Sequence, residues 1–312
     1  MQQELKFQII AAAQEYAKQN NLSNNDIANK TKINPGYLSN MFRNQFTVTV
    51  QGKPVEIADK WFYTLAEWAG LSLRKQYWST VETPQFISMI PALETAKKHS
   101  LVSVLITPTG LGKTYIIDKF CHINPVHTYR ITVSSVHKLP DVLNDIIDQL
   151  GIASGKSNAS KMQAIINKFK EIKRNGGEPC VIIDEAENLE LAVLKMLKGL
   201  YDGIKDYAAL ILIGTDQLIS SLTKLRKHDK RGIPQFYRRV KAGIKYIHSE
   251  KNFKPFFEKY VEDKGLRRLL NELCENYGEL HDYLEPAMRE ADARDQPLTE
   301  DLFRLMYNLP KY

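Results

Sequence analysis

The sequence has few cysteines and no long apolar run. Its three cysteines, Cys121, Cys180 and Cys274, are odd in number and widely spaced, which fits neither a disulfide framework nor a metal site and indicates buried thiols in a reducing compartment. No apolar stretch approaches the roughly 18 residues that a membrane-spanning helix needs. Polar residues interrupt the apolar positions of residues 1–17, so this segment does not have the pattern of a signal peptide. We therefore expect a soluble intracellular protein with no membrane partner.

Internal repeats and low-complexity segments are also missing. The 312 residues suit two or three domains of about 100–200 residues each. Hydrophobic residues make up 43% of the chain and charged residues 25%, which argues against a largely disordered protein.

The net charge of +7 comes from one segment. Residues 224–245 contain nine basic residues and a single acidic residue, Asp229. Lysine and arginine at this density gain free energy by releasing counterions from phosphates, so the segment favours a polyanionic partner. A smaller basic cluster in residues 156–174 is explained equally well by a solvated surface.

The chain divides into three blocks. Residues 1–78 and 248–312 have helical patterns, whereas residues 79–247 alternate short apolar runs with amphipathic stretches. Strands are predicted over residues 102–107, 128–133, 180–184 and 209–213, and helices over 114–120, 139–150, 159–174 and 189–204. This alternation predicts an α/β domain with a parallel sheet.

A glycine-rich loop joins the first predicted strand to the first predicted helix. Residues 107–114 read Thr-Pro-Thr-Gly-Leu-Gly-Lys-Thr, the order strand, glycine loop, helix that binds phosphate through backbone N–H groups. Lys113 is expected to reach the β and γ phosphates of ATP, and the Thr114 hydroxyl to ligate Mg²⁺. The first motif position is Thr107 instead of glycine, which leaves the geometry of the loop's opening undecided. The predicted nucleotide contacts are Thr109, Gly110, Leu111, Gly112, Lys113, Thr114 and Tyr115.

A second motif lies at the end of a buried strand. Residues 180–185 read Cys-Val-Ile-Ile-Asp-Glu. Asp184 is predicted to hold Mg²⁺ through its water shell, and Glu185 to orient and polarise the attacking water. The alternative, a helix cap followed by a first-turn acid, is disfavoured by Lys113 and Thr114 upstream. Together the two motifs predict Mg²⁺-dependent ATP hydrolysis.

Two further positions fit this chemistry. Thr215 follows another predicted strand and is a candidate sensor of the γ-phosphate, with an ordinary turn as the competing interpretation. Arg239, or its neighbour Arg238, could be offered to the γ-phosphate of an adjacent protomer, which would couple hydrolysis to assembly. Membership of the basic segment is the alternative for both arginines.

Residues 24–42 have the pattern of a helix-turn-helix. Ala28 is small where two short helices would cross, and Ile33 and Leu38 are apolar where a core needs them. The turn position that usually holds glycine is Lys32, and a helical protein-interaction bundle is the alternative. The residues expected to face DNA are Asn34, Gly36, Tyr37, Ser39, Asn40 and Arg43.

In this order, the motifs resemble the phage Mu transposition protein B family of AAA+ ATPases. The resemblance rests on Thr-Gly-Leu-Gly-Lys-Thr (109–114), Val-Ile-Ile-Asp-Glu-Ala (181–186), Ile-Gly-Thr (213–215) and Phe-Tyr-Arg-Arg-Val (236–240), with a helix-turn-helix-like head and a short helical tail. It implies an N-terminal helical domain (1–78), an AAA+ P-loop domain (79–247) and a C-terminal helical lid (248–312).

The resemblance also implies a function. Family members bind ATP, assemble as helical filaments or rings on double-stranded DNA with little sequence preference, and recruit and activate a DNA transposase, and hydrolysis then releases the DNA. The setting would be a bacterial cytoplasm, with the gene carried by a phage or mobile element. The implied catalytic residues are Lys113, Asp184, Glu185, Thr215 and Arg239. The implied DNA contacts are Ser134, Ser135, His137 and Lys138, with Lys161 and residues of the 224–245 segment as weaker candidates. At the position of the family's second-sensor arginine, the best match in this sequence is His281.

Two alternatives remain from the sequence. One is a helicase loader or replication initiator. Such a protein has the same sheet and motifs, so the sequence alone distinguishes it poorly from a transposition activator. A nucleotide-switched helix-turn-helix regulator without turnover would instead form a dimer and give a site-specific footprint.

Overall fold

A computed structural model describes residues 3–50, 53–71, 77–247 and 251–310. The chain forms two compact units, Met1–Gln76 with Asn124–Val126, and Tyr77–Ile123 with His127–Tyr312. In the part of the chain that the structure describes, no helix is long and apolar enough to span a bilayer.

The first unit contains four helices and a hairpin. The helices are α1 (Gln3–Gln19), α2 (Asn24–Thr31), α3 (Pro35–Phe42) and α4 (Asp59–Trp68), and the antiparallel hairpin pairs β1 (Thr47–Val50) with β2 (Lys53–Glu56). The helical pattern predicted for residues 1–78 is interrupted by this hairpin, where β-branched residues favour extended backbone. The core of this unit is formed by buried side chains that include Ile9, Ile10, Ile27, Leu38, Met41, Phe62 and Leu65.

Helices α2 and α3 are joined by a short, capped turn. The Ser23 hydroxyl accepts from the amide of Asp26 at the start of α2, and Asn34 Oδ1 accepts from the amide of Gly36 at the start of α3. Lys32 ends α2 with a φ of 58°, a left-handed conformation that glycine adopts more easily. Tyr37 is half-buried beside Trp61 and Arg43 is exposed. DNA recognition by this helix pair stays a prediction.

The second unit is built on a five-stranded parallel sheet. Its strands are β3 (Val102–Ile106), β4 (Thr128–Thr132), β5 (Cys180–Asp184), β6 (Ala209–Gly214) and β7 (Ile244–Tyr246), in the order β4-β5-β6-β3-β7. Every residue of β5 and β6 is buried, as expected for parallel strands that are covered on both faces. The predicted parallel α/β fold is confirmed, and β7 is the strand of this sheet that was not predicted.

Helices cover both faces of the sheet. One face packs against α7 (Leu139–Leu150), α8 (Asn158–Arg174), α9 (Leu191–Ile204), α10 (Asp216–Lys227) and α11 (Ile233–Val240). The other packs against α5 (Pro84–Lys98) and α6 (Lys113–Ile123). Because the strands are parallel, the loops after β3, β5 and β6 leave the sheet at the same edge.

Four C-terminal helices belong to the same unit and form their own apolar cluster. They are α12 (Lys254–Tyr260), α13 (Lys264–Leu273), α14 (Tyr277–Ala293) and α15 (Glu300–Tyr307). The cluster is rich in aromatic rings and includes Leu111 of the glycine-rich loop. Trp78 stacks on Phe256 and Tyr260 at centroid distances of 5.0 and 5.3 Å, which fixes the segment before α5 against these helices.

Candidate nucleotide-binding site

The loop between β3 and α6 has the backbone geometry of a phosphate cradle. Gly110 and Gly112 have φ values of 77° and 75°, which side chains other than glycine rarely adopt. Lys113 is the first residue of α6, so the loop ends at a helix N-terminus, where N–H groups and the helix dipole favour anions. Thr107 is fully buried and has no positive φ. The backbone therefore does not need glycine at the opening position.

The start of α14 lies directly against this loop. The Gly278 amide donates to the Gly110 carbonyl over 3.0 Å, and Asn276 caps the helix by accepting from the Glu279 amide over 3.0 Å. A Cβ added at Gly110 would lie 2.3 Å from Cγ of Asn276. The C-terminal helices are thus tied to the loop by backbone contact.

At the end of β5, Asp184 is buried and accepts a hydrogen bond on each carboxylate oxygen. It is 1% exposed. Its Oδ2 accepts from Arg130 Nη2 over 2.7 Å, and its Oδ1 accepts from the Glu185 amide over 2.9 Å. Arg130 also pairs with Asp118 on α6. Sequence reasoning missed Arg130, although a charged residue inside a predicted strand was a usable signal.

Glu185 projects from the same strand end into solvent. It has a φ of 54° and is exposed. Asn188 Nδ2 donates to Glu185 Oε2 over 3.3 Å and to the Val133 carbonyl over 3.0 Å. This amide restrains the carboxylate while leaving it accessible to water.

Thr215 lies at the end of β6, between the strands that carry the two motifs. Its amide donates to Glu187 Oε2 over 3.3 Å, and its buried hydroxyl oxygen has no hydrogen-bond partner among the described residues. A buried hydroxyl without a partner is unusual. Its position at this edge of the sheet suits a group that hydrogen-bonds to phosphate.

The oxygens of Thr114 and Asp184 are suitable donors for Mg²⁺. The Thr114 residue is exposed, and both oxygens of Asp184 already accept hydrogen bonds. Mg²⁺ prefers oxygen ligands and retains several waters, so it is commonly held by one or two protein groups together with substrate phosphates. A water-mediated contact from Asp184 and a direct one from Thr114 fit this donor set.

A cavity of about 350 Å³ opens beside the loop, within the size range of small-molecule pockets (about 300–1,000 Å³). It is lined by Gly112 and Thr114 of the loop region, and by Gly278 and His281 of α14. Its remaining walls are mainly apolar and aromatic, formed by Trp78, Val81, Phe86, Leu111, Tyr115, Ile116, Phe256 and Tyr277. His281 meets Trp78 edge-on at 5.0 Å. The loop and cavity together offer room for a phosphate chain and an attached nucleoside.

The predicted arginine finger is engaged within its own chain. Arg239 Nε and Nη2 donate to Asp202 of α9 over 2.5 and 2.9 Å, and Nη1 donates to the Gln235 carbonyl. Its neighbour Arg238 is exposed. The finger role stays a prediction for both residues.

The predicted DNA-binding loop follows β4. The Ser134 amide donates to His137 Nδ1 over 2.8 Å, Lys138 pairs with Glu190, and Ser135 is exposed. Lys161 lies on α8 and donates to Asn144 Oδ1 over 2.7 Å. The loop is thus exposed and locally ordered by its own side chains.

Comparison with known proteins places this site in a recognisable domain. Residues 96–222 match the model of an AAA domain. Over 151 residues the chain is 27% identical to the Mu-like prophage FluMu DNA transposition protein B of Haemophilus influenzae, and the alignment covers 46% of this chain. The matched part of the chain spans 50% of the length of that relative.

Solved structures share the fold at low sequence identity. Cdc6p from Pyrobaculum aerophilum superposes with a TM-score of 0.53 at 14% identity, covering 71% of this chain and 66% of that one. The Aeropyrum pernix ORC1 protein, solved in complex with DNA, superposes with a TM-score of 0.54 at 15% identity. That alignment covers 76% of this chain and 67% of the ORC1 chain. These structures confirm the AAA+ P-loop fold. The sequence matches show an AAA domain and similarity to transposition protein B of a Mu-like prophage, which confirms the resemblance seen in the motifs.

Proposed function

We propose that this AAA+ protein is an ATP-dependent, sequence-tolerant double-stranded DNA-binding protein that assembles on target DNA and activates a DNA transposase. ATP hydrolysis then releases the DNA. The observation that carries the proposal is the convergence of the Lys113 loop, Asp184 and Thr215 at one sheet edge. This convergence occurs in a chain similar to a DNA transposition protein.

The chain's own groups account for nucleotide binding and turnover. The loop amides and Lys113 bind the phosphates, and the aromatic cavity takes the nucleoside. Glu185, restrained by Asn188, orients a water and accepts its proton. The Thr215 hydroxyl, which has no partner among the described residues, would donate to a phosphate oxygen. Bound Mg²⁺, held by Thr114 and through water by Asp184, would neutralise charge on the phosphates.

Assembly would complete the site. Arg238 is exposed at the end of α11, whereas Arg239 must leave Asp202 before it can reach a neighbouring protomer. An arginine supplied by another protomer stabilises the transferring phosphoryl group. Hydrolysis would thus be slow in the lone protein and faster in the assembly.

DNA binding is assigned to two exposed basic regions. One is the loop of residues 134–138, which includes Lys138. The other is the segment of residues 224–245, where Arg226 stacks on Tyr237 at 4.2 Å and most of the remaining basic side chains are exposed. Both would contact phosphates, which carry no sequence information, so tolerance of sequence follows.

The test compares Lys113→Ala and Glu185→Gln with the wild-type protein, and Lys168→Ala on α8 is the matched control. Lys113→Ala should lose ATP binding and ATP-dependent DNA binding. Glu185→Gln should bind ATP, turn over little, and stay on DNA longer because the nucleotide is retained. The control should behave as wild type in DNA-binding assays and in negative-stain images of assemblies.

Distinct results would contradict the proposal. Equal DNA affinity with and without nucleotide, in a protein that stays a single subunit, would overturn it. A site-specific footprint with negligible turnover would support a nucleotide-switched regulator. ATP-dependent assembly without stimulation of the cognate transposase would support a loader or initiator.

A further inference from the structure

Gln85, in the first turn of α5, is a buried polar residue. The residue is 1% exposed, and Oε1 has no hydrogen-bond partner among the described residues. Its neighbour Thr83 caps the helix by accepting from the Phe86 amide, so the turn that carries Gln85 is ordered. Buried polar groups are almost always hydrogen-bonded because the lost hydration is costly. An unpaired acceptor therefore calls for an explanation.

Gln85 also lines the cavity beside the phosphate loop. Four other buried polar atoms lack partners among the described residues, on Ser100, Ser103, Arg130 and Thr215, and none of these residues lines the cavity. Most of the remaining lining is apolar or aromatic. Sites of this kind use a few polar groups to set specificity.

We propose that Gln85 reads the base of the bound nucleotide and selects adenine, an inference that rests on the proposed nucleotide site. The aromatic walls offer faces for a flat heterocycle. A carboxamide accepts through its oxygen and donates through its nitrogen. Adenine matches it, because the 6-amino group donates and the neighbouring ring nitrogen accepts. The 6-oxo group of guanine would place a second acceptor against the unpaired oxygen.

The test isolates the 6-amino group. Affinities for ATP, GTP and purine riboside triphosphate, which lacks only that amino group, are measured by calorimetry on the full chain and on Gln85→Met. The wild type should bind ATP on the order of tenfold more tightly than either analogue. Gln85→Met loses both hydrogen bonds to ATP but only the one to the ring nitrogen of purine riboside triphosphate. Its affinity for ATP should therefore fall about tenfold further than its affinity for purine riboside triphosphate, which leaves a preference below about twofold.

A thermal melt separates this role from a structural one. Because the oxygen has no partner among the described residues, Gln85→Met should keep or raise the melting temperature without nucleotide and lose most of the ATP-induced increase. Gln163→Met, the same change on the exposed face of α8, should alter neither the melt nor the nucleotide preference.

Each other outcome has a clear meaning. A wild-type protein that binds no nucleoside triphosphate would overturn the proposed function itself. A protein that binds ATP but does not distinguish the analogues, prefers GTP, or keeps its preference in Gln85→Met would overturn only the assignment of Gln85.

Discussion

Arg130 on β4 donates to Asp184 at the tip of the adjacent strand over 2.7 Å, and this pair holds the acidic end of the site in place. The Asp184 side chain is 2% exposed and that of Arg130 is 21% exposed. A carboxylate this deeply buried needs a counterion. Arg130 supplies it within the chain, so Asp184 is positioned before any nucleotide binds.

Removing Arg130 should be costly. Arg130→Met leaves the buried carboxylate of Asp184 without its cation, and we expect a loss of about 3 kcal/mol in the free energy of unfolding, measured with urea. The matched control is Arg294→Met, which breaks an exposed pair with Glu290 and should cost less than about 1 kcal/mol. Equal losses in the two variants would show that the buried pair contributes no more to the free energy of unfolding than the exposed pair.

The contact between Gly110 and Asn276 can be tested with two glycine substitutions. Gly176 has a φ of 83° and open space around its Cβ position, so Gly176→Ala should cost only the backbone strain, about 1–2 kcal/mol. Gly110→Ala adds the clash with Asn276 and should also weaken ATP binding by about tenfold or more, because α14 must move away from the loop. The checks are urea unfolding and calorimetry. Unchanged ATP affinity in Gly110→Ala would refute the coupling of α14 to the loop.

Charge reversal at Lys138 should reduce DNA binding and spare ATP binding. Lys138→Glu removes one phosphate contact, adds repulsion, and should lower the slope of log affinity against log salt by about 1. Lys168→Glu on α8 reverses the same charge away from the loop and serves as the control. Low-salt gel shifts with ATP provide the measurement, and an affinity equal to that of the control would exclude Lys138 from the interface.

Stability should fall at alkaline pH because of two buried thiols. Burial raises the pKa of Cys180 to about 12 and, with a smaller contribution from Glu279, that of Cys274 to about 11. Between the unfolded value of 9.0 and these folded values, only the unfolded chain releases the protons. Stability is therefore fully present below pH 9 and is lost as pH rises through this window, by about 1 kcal/mol per pH unit for each thiol. Urea unfolding at pH 8, 9 and 10 measures the slope of the free energy of unfolding against pH. Cys180→Ala should make this slope shallower. An unchanged slope would show that the Cys180 thiol does not cause the loss of stability.

The central sheet was predictable because its strands are continuous apolar runs. The segments around Val104, Ile182 and Leu212 are buried on both faces and alternate with amphipathic helices, which leaves little choice of fold. β7 escaped prediction because its three residues, Ile244–Tyr246, lie in a basic segment and gain their stability from pairing with β3. The hairpin near Val48 was also missed, although Thr47–Val50 is a run of β-branched residues that favours extended backbone. Its two strands have only four residues each and lie between helical segments.

The nucleotide loop was located from the sequence because its chemistry requires a fixed spacing of residues. The partners that complete the site have no such spacing. Arg130, Asn276 and Gln85 lie in three different elements, and only the folded chain brings Arg130 to Asp184, Asn276 to Gly110, and Gln85 to the cavity wall. Single residues whose roles depend on tertiary contact leave no motif in one sequence.

The strand order has a consequence for synthesis on the ribosome. β3 is the first strand of the sheet to be made and β7 is the last, yet the two are paired neighbours. Until Ile244 emerges, one side of β3 has open backbone donors and acceptors, which are a template for wrong pairing between nascent chains. The sheet can therefore be completed only late in translation. Chains that stop before β7 should depend on chaperones to remain in solution.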